Sequence, residues 1–286
     1  MESVEELLTL LKLEKKSDTK FVGQNYPSSW GRVFGGQILA QSLHAAYQTV
    51  PESRIAHSMH GYFILPGDIN LPVIYEVDKI RDGNSFTTRR VVAYQNGKAI
   101  FNMAASFQKQ ETGVDHQIVA PNILSPEVLR SDMQQVESLK HKNPNYYESL
   151  KKAHPKMFDF KPVEIMSHIE TKNVIPFSHV WFKTKKKMKI GLPEKQQLLA
   201  FSSDIYLIMT ATKPHREKIS DHPIFVASID HAMWFHRDFE IDDWLLYAMD
   251  SPSASSARGF ARGSIFSKSG ILIASVTQEG LIRIKR

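Results

Sequence analysis

The sequence predicts an α+β protein built from two tandem copies of one unit, a long helix followed by an antiparallel sheet. Three observations predict it. A helical stretch over residues 37–50 gives way to period-two alternation that continues to residue 110. The turn signals Asp82-Gly-Asn84 and Gln95-Asn-Gly97 separate the alternating runs as hairpin turns do. The same order then returns after residue 160, a helical stretch over 193–210 with alternating runs behind it.

Length and composition leave room for this plan. At 286 residues the chain exceeds what one compact core usually serves, and two units of ordinary size fit it. Its 42% hydrophobic and 23% charged residues are those of a globular protein. No apolar run approaches the roughly 20 residues of a membrane span, so none is expected. The N-terminus lacks a basic head before an apolar core, and the final Ile-Arg-Ile-Lys-Arg is not a peroxisomal address. A cytoplasmic location is therefore the expectation. Cysteine is absent, which excludes disulfides, thiolate zinc sites and a Cys nucleophile. The net charge of +6 suits a phosphorylated or polyanionic partner. Its densest basic run, Lys183-Thr-Lys-Lys-Lys-Met-Lys189, reads as a solvated strand end or loop. No nucleic-acid module accompanies it, and no nucleic-acid partner is expected.

Taken in order, residues 2–12 form a short helix with acidic residues in its first turn, where the helix dipole favours them. Residues 19–22 are an entering strand. Gly35-Gly36 leads into the helix over 37–50, whose Ala40, Ala45 and Ala46 allow strands to approach closely, and Pro51 ends it. Runs at 55–65, 73–81, 85–95 and 98–110 complete a first unit, residues 1–112. Residues 113–161, polar and carrying a helical patch near 126–140, form a connector. The second unit, 162–286, has strands at 163–170 and 180–186, a helix over 193–210 and a strand over 225–235. Further strands fall at 244–251, 256–267 and 270–284, the last two a hairpin around Lys268-Ser-Gly270. Matching Phe63 to Phe235 sets Ala40 beside Ala200. It also lays Ala104-Ala-Ser-Phe-Gln108 on Ala274-Ser-Val-Thr-Gln278.

Three polar residues of the second unit attract chemistry. Asp204 lies in an otherwise apolar helical stretch, Ser228 begins a strand, and Gln278 lies among Ile273, Ala274 and Val276. Each alone is an ordinary satisfied polar group. Together they offer carboxylate, hydroxyl and amide around one core, and a buried carboxylate has the raised pKa of a general base. Their counterparts in the first unit are His44, Ala56 and Gln108. Simple alternation puts His231 on the face opposite Ser228, and no Gly-x-Ser-x-Gly elbow exists, so a Ser-His-Asp hydrolase is not favoured. The spacings of His215, His222, His231 and His236 match no common zinc pattern, and no metal is expected. Ser253-Ala-Ser-Ser-Ala-Arg-Gly259 could bind phosphate or simply be a solvated strand entry. Gly35 and Gly36, before a helix N-terminus, suit an oxyanion or phosphate as well as they suit a tight turn.

These residues resemble a known family. Gly31-Arg-Val-Phe-Gly-Gly-Gln-Ile-Leu-Ala-Gln41, His57-Ser-Met-His-Gly-Tyr-Phe63 with Pro66-Gly-Asp68, Ser203-Asp204, Ile229-Asp-His-Ala-Met-Trp-Phe-His236, Ser255-Ser-Ala-Arg-Gly259 and Gln278-Glu-Gly280 resemble acyl-CoA thioesterase II over nearly the whole chain. The resemblance implies a double hotdog, each unit a long helix wrapped by an antiparallel sheet. It implies hydrolysis of medium- to long-chain fatty acyl-CoA by a water held by Asp204, Ser228 and Gln278. Some relatives have Thr where this chain has Ser228. Gly35, Gly36 and His60 are carried as oxyanion or substrate-binding candidates. No cofactor and no metal are implied; the partners are the fatty acyl-CoA substrate and further copies of the chain, as a dimer or tetramer. Two other functions fit the same fold: an acyl-thioester hydratase or dehydratase dependent on His60 or His231, and a non-catalytic acyl-CoA-binding protein.

Overall fold

The computed structural model describes residues 1–28, 31–137, 139–164, 175–215 and 224–284. The N-terminal helix α1 (Val4–Leu11) is capped by Ser3, whose hydroxyl accepts from the Glu6 N–H, and it buries Val4, Leu7 and Leu11. Strands β1 (Glu14–Lys15) and β2 (Lys20–Gly23) lead to the long helix α2 (Gly35–Tyr47). Four antiparallel strands follow: β3 (Ile55–Phe63), β4 (Val73–Asp82), β5 (Phe86–Gln95) and β6 (Lys98–Gln108). Between them Asn96 and Gly97 both adopt positive φ, as the Asn-Gly turn requires.

The stretch expected as connector carries three short helices, α3 (Asp132–Gln135), α4 (Leu139–Lys142) and α5 (Pro144–Ala153). It is pinned to the second half of the sheet. Gln117 bonds the backbone of Gly270 and Leu272, and the Trp181 indole donates to Leu124 O at 2.9 Å. Its last residues form strand β7 (Phe158–Pro162), which pairs with β8 (Phe177–Thr184). Of the strand expected over 163–170, residues 165–170 lie outside the described residues.

The second long helix, α6 (Leu192–Ser203), ends seven residues earlier than the sequence pattern suggests, and a 3₁₀ stretch over Ile208–His215 takes up the remainder. Asp204 is consequently a helix C-cap and not a mid-helix residue. The single strand expected over 225–235 is two, β9 (Ile224–Ser228) and β10 (Asp230–Phe235). Strands β11 (Leu245–Ser255), β12 (Arg258–Ser267) and β13 (Leu272–Ile284) complete the chain.

All described strands join one antiparallel sheet in the order β1-β2-β4-β5-β6-β3-β10-β13-β12-β11-β8-β7, with β9 beside the end of β13. The two halves meet at β3 and β10, where His60 faces Ala232. On the inner face α2 lies against α6. Gly36 touches the Phe201 carbonyl and His44 Nδ1 lies 3.2 Å from Gln197 Oε1, so the helices run antiparallel with Ala40 and Ala200 buried in the core. This is the duplicated helix-and-sheet architecture that the repeat predicts. No described helix is long and apolar enough to cross a membrane.

Candidate active site

The site forms where the C-terminus of α6, the N-terminus of α2 and strands β9, β10 and β13 converge. Its key is an irregularity in the sheet. Ser228 pairs with Gly280 and Ala232 with Thr277, so three residues, 229–231, stand against two, 278–279. The surplus residue is a β-bulge. Across it the Ile229 N–H donates to Glu279 O, and the Asp230 carboxylate accepts the Glu279 N–H at 2.7 Å. A bulge shifts the inward–outward alternation by one. Ser228, His231 and Gln278 therefore all face inward, which corrects the expectation that His231 lies opposite Ser228.

Three of the predicted residues meet. Gln278 Nε2 donates one hydrogen to Asp204 Oδ1 at 2.7 Å and the other to Ser228 Oγ at 2.9 Å. With both hydrogens of the amide engaged, the Ser228 hydroxyl proton stays available for another acceptor. Burial pushes the Asp204 carboxyl up to about 7, against the stabilising pull of Gln278 and of the Gly36 backbone N–H. Its place at the carbonyl end of α6 opposes ionisation further. A carboxyl poised near neutrality in a protein interior fits a general base.

Gly35 and Gly36 bring the positive end of α2 to that carboxylate. A Cβ on Gly35 would stand 2.5 Å from Asp204 Oδ2, and one on Gly36 would collide with the Phe201 carbonyl. Glycine is required at both positions by close approach. His60 is not brought to the cluster. It lies exposed on the outer face of the sheet, edge-on to the Trp234 ring. His236 is likewise directed outward, to Ser275 Oγ, and His222 lies outside the described residues.

Alternation along an unbroken strand missed one residue of the cluster. His231 is fully buried, with Nε2 3.0 Å from Ser203 Oγ and Nδ1 4.0 Å from Asp204 Oδ1. Burial pulls its imidazole down to about 3, so it is neutral. Among the described residues, His231 Nδ1 and Gln278 Oε1 have no hydrogen-bond partner. The available signal was Asp230, a carboxylate in mid-strand that satisfies the backbone at the bulge.

The first half of the chain holds the same geometry without the chemistry. Ala56 pairs with Phe107 and Ser58 with Ser106, so β3 carries a bulge at His57, the place that Ile229 occupies in the match of Phe63 to Phe235. With the bulges aligned, Met59 stands for His231, Ala56 for Ser228 and Ala105, opposite Met59, for Gln278. Gln108 is the end of its strand and not the counterpart of Gln278, which corrects that part of the register. In the first turns of α6, Gln196 binds Tyr47 and the Ala56 carbonyl, and Gln197 binds His44.

Fold and site together define an enzyme of the double hotdog class. Family models for "Acyl-CoA thioesterase" and "Acyl-CoA thioesterase N-terminal domain" match residues 151–281 and 26–108. Acyl-CoA thioesterase 2 of Haemophilus influenzae is 39% identical over 97% of this chain and 96% of its own. Acyl-coenzyme A thioesterase 8 of Homo sapiens is 36% identical over 97% and 88%. Among solved structures, acyl-CoA thioesterase II TesB2 from Mycobacterium marinum superposes with a TM-score of 0.79 at 35% identity, covering 96% of this chain and 97% of that one. The chain belongs to the acyl-CoA thioesterase II family, and it is a thioester hydrolase.

Proposed function

We propose that the chain hydrolyses medium- to long-chain fatty acyl-CoA to the free acid and coenzyme A, with Asp204 as general base. The observation that carries the reading is the Gln278 amide, which ties Asp204 and Ser228 into one unit. Asp204 takes a proton from a water that accepts a hydrogen bond from the Ser228 hydroxyl. The hydroxide so formed adds to the thioester carbonyl carbon. The C–S bond then breaks, and the departing thiolate is reprotonated by Asp204 or solvent. A thiol with pKa about 8.5 leaves without a strong acid. Gln278 acts by orienting the other two, since both its hydrogens are engaged. Gly35 lets the substrate carbonyl approach the first turn of α2, whose positive end stabilises the oxyanion. The apolar chain lies along the aromatic cluster of Tyr26, Phe34 and Phe201, which packs beside the glycine pair with ring centroids 5.0–6.3 Å apart.

The test is thiol release from acyl-CoAs of graded chain length. Asp204→Asn is expected to lose about 10²–10⁴ in kcat, and Ser228→Ala and Gln278→Ala about 10² each. Full activity of Asp204→Asn would overturn the site, and the absence of release at every chain length would leave an acyl-CoA-binding protein. Self-association as a dimer or tetramer is part of the proposal; it would cover outward side chains such as Tyr62, and sedimentation velocity checks it.

A further inference from the structure

One fully buried ionisable side chain beside the base is not used by this mechanism. His231 lies on β10 with its ring between Ser203 and Asp204. The Ser203 hydroxyl donates its one hydrogen to the Ala200 carbonyl at 2.9 Å. With that hydrogen on the carbonyl, the hydroxyl accepts at the 3.0 Å contact with His231 Nε2 and the imidazole is the donor. A neutral imidazole that carries its proton on Nε2 has a bare lone pair on Nδ1. That atom faces Asp204 Oδ1 at 4.0 Å and has no partner among the described residues.

We propose that Ser203 and His231 are positioning residues for the catalytic carboxylate: Ser203 locks the imidazole with Nε2–H outward, and the bare Nδ1 withholds a donor from Asp204, setting the pH at which Asp204 becomes a base. The proposal rests on Asp204 as the base. The surroundings leave few other groups to play this part. From α2, Asp204 receives the Gly36 N–H; from β13, the Gln278 amide. β3 places Gly61 opposite His231, and β9 contributes Ser228. β11 contributes Tyr247, whose hydroxyl donates to the Ser203 carbonyl and whose pKa burial and the Asp204 charge both raise. Had the ring the opposite tautomer, Nδ1–H would point at the carboxylate and favour its charged form.

Two measurements on the full chain test this. In protein labelled with ¹⁵N-histidine, the His231 signals are identified by their loss in His231→Asn. They should show protonated Nε2 and bare Nδ1 from pH 5 to pH 9. An Nδ1–H tautomer or an imidazolium in that range overturns the proposal. In the second, Ser203→Ala frees the ring to carry its proton on Nδ1. The acid limb of kcat/KM should then move down by about one pH unit, while Ser203→Thr, which retains the hydroxyl, keeps the wild-type limb. A fall in rate or stability with an unmoved limb is the outcome of a merely structural role, and it too overturns the proposal. Should Ser203→Ala fail to fold, the tautomer measurement decides alone. An active Asp204→Asn would instead refute the proposed function, and the His231 tautomer would be measured all the same.

Discussion

Asp204 and His231 are buried within 4.0 Å of each other, and burial moves their proton affinities in opposite directions. Asp204 holds its proton to about pH 7 in the folded chain, against about 3.9 when unfolded. Between those values the folded state binds more protons, so its stability falls as pH rises from 4 to 7, by on the order of 4 kcal/mol. His231 is protonated only near pH 3 when folded, against about 6.5 when unfolded. Its contribution is present above pH 6.5 and is lost as pH falls towards 3, by on the order of 5 kcal/mol. Between pH 4 and 6.5 the two slopes nearly cancel. Asp204→Asn should thus be more stable than wild type at pH 8 by a few kcal/mol in urea unfolding, with the difference vanishing near pH 4. Equal stabilities at pH 8 would show that the carboxylate is not strained by its burial. Gly35→Ala tests the neighbouring backbone. A methyl group 2.5 Å from Asp204 Oδ2 must displace either the carboxylate or α2, and kcat/KM should fall at least 10²-fold.

Among the elements, the β9–β10 bulge decides what was legible in the sequence and what was not. Helix α2, strands β3 to β6 and the second copy announce themselves by period, because each presents one face to a core and alternation records that face. Asp204, Ser228 and Gln278 were legible as polar residues in apolar surroundings. His231 was not, because one extra residue reverses every inside–outside assignment beyond it. The end of α6 was missed because apolar residues such as Leu207 and Ile208 stay buried after the helix stops. Gln108 misled because it shares a residue type with Gln278 but not a register. The β11–β12 hairpin makes a separate prediction. Its turn residues Ser256 and Ala257 both adopt positive φ, at 49° and 58°, where a β-carbon is unfavourable. Ala257→Gly should raise the melting temperature by a few degrees, corresponding to about 1 kcal/mol; a lowered melting temperature would mean that Ala257 makes contacts that outweigh the strain.

At the scale of the whole molecule, the proposed site belongs to neither copy alone. The second copy supplies Asp204, Ser228, His231 and Gln278, while the first supplies the end of α2 and the central strand β3. Residues 113–286 expressed alone should leave the β3-facing edge of β10 unpaired and show no thiol release. Co-expression with residues 1–112 should restore both solubility and turnover; activity in the isolated second half would refute the shared site. The glycine pair at 35–36 gives this arrangement a further consequence. At the places of Ser228, His231 and Gln278 the first copy holds Ala56, Met59 and Ala105. What it brings to the proposed site instead lies at two positions that hold no functional group. A residue with no side chain is what the first copy adds there, and a side chain placed at either position collides with Asp204 or Phe201 in the other half of the protein.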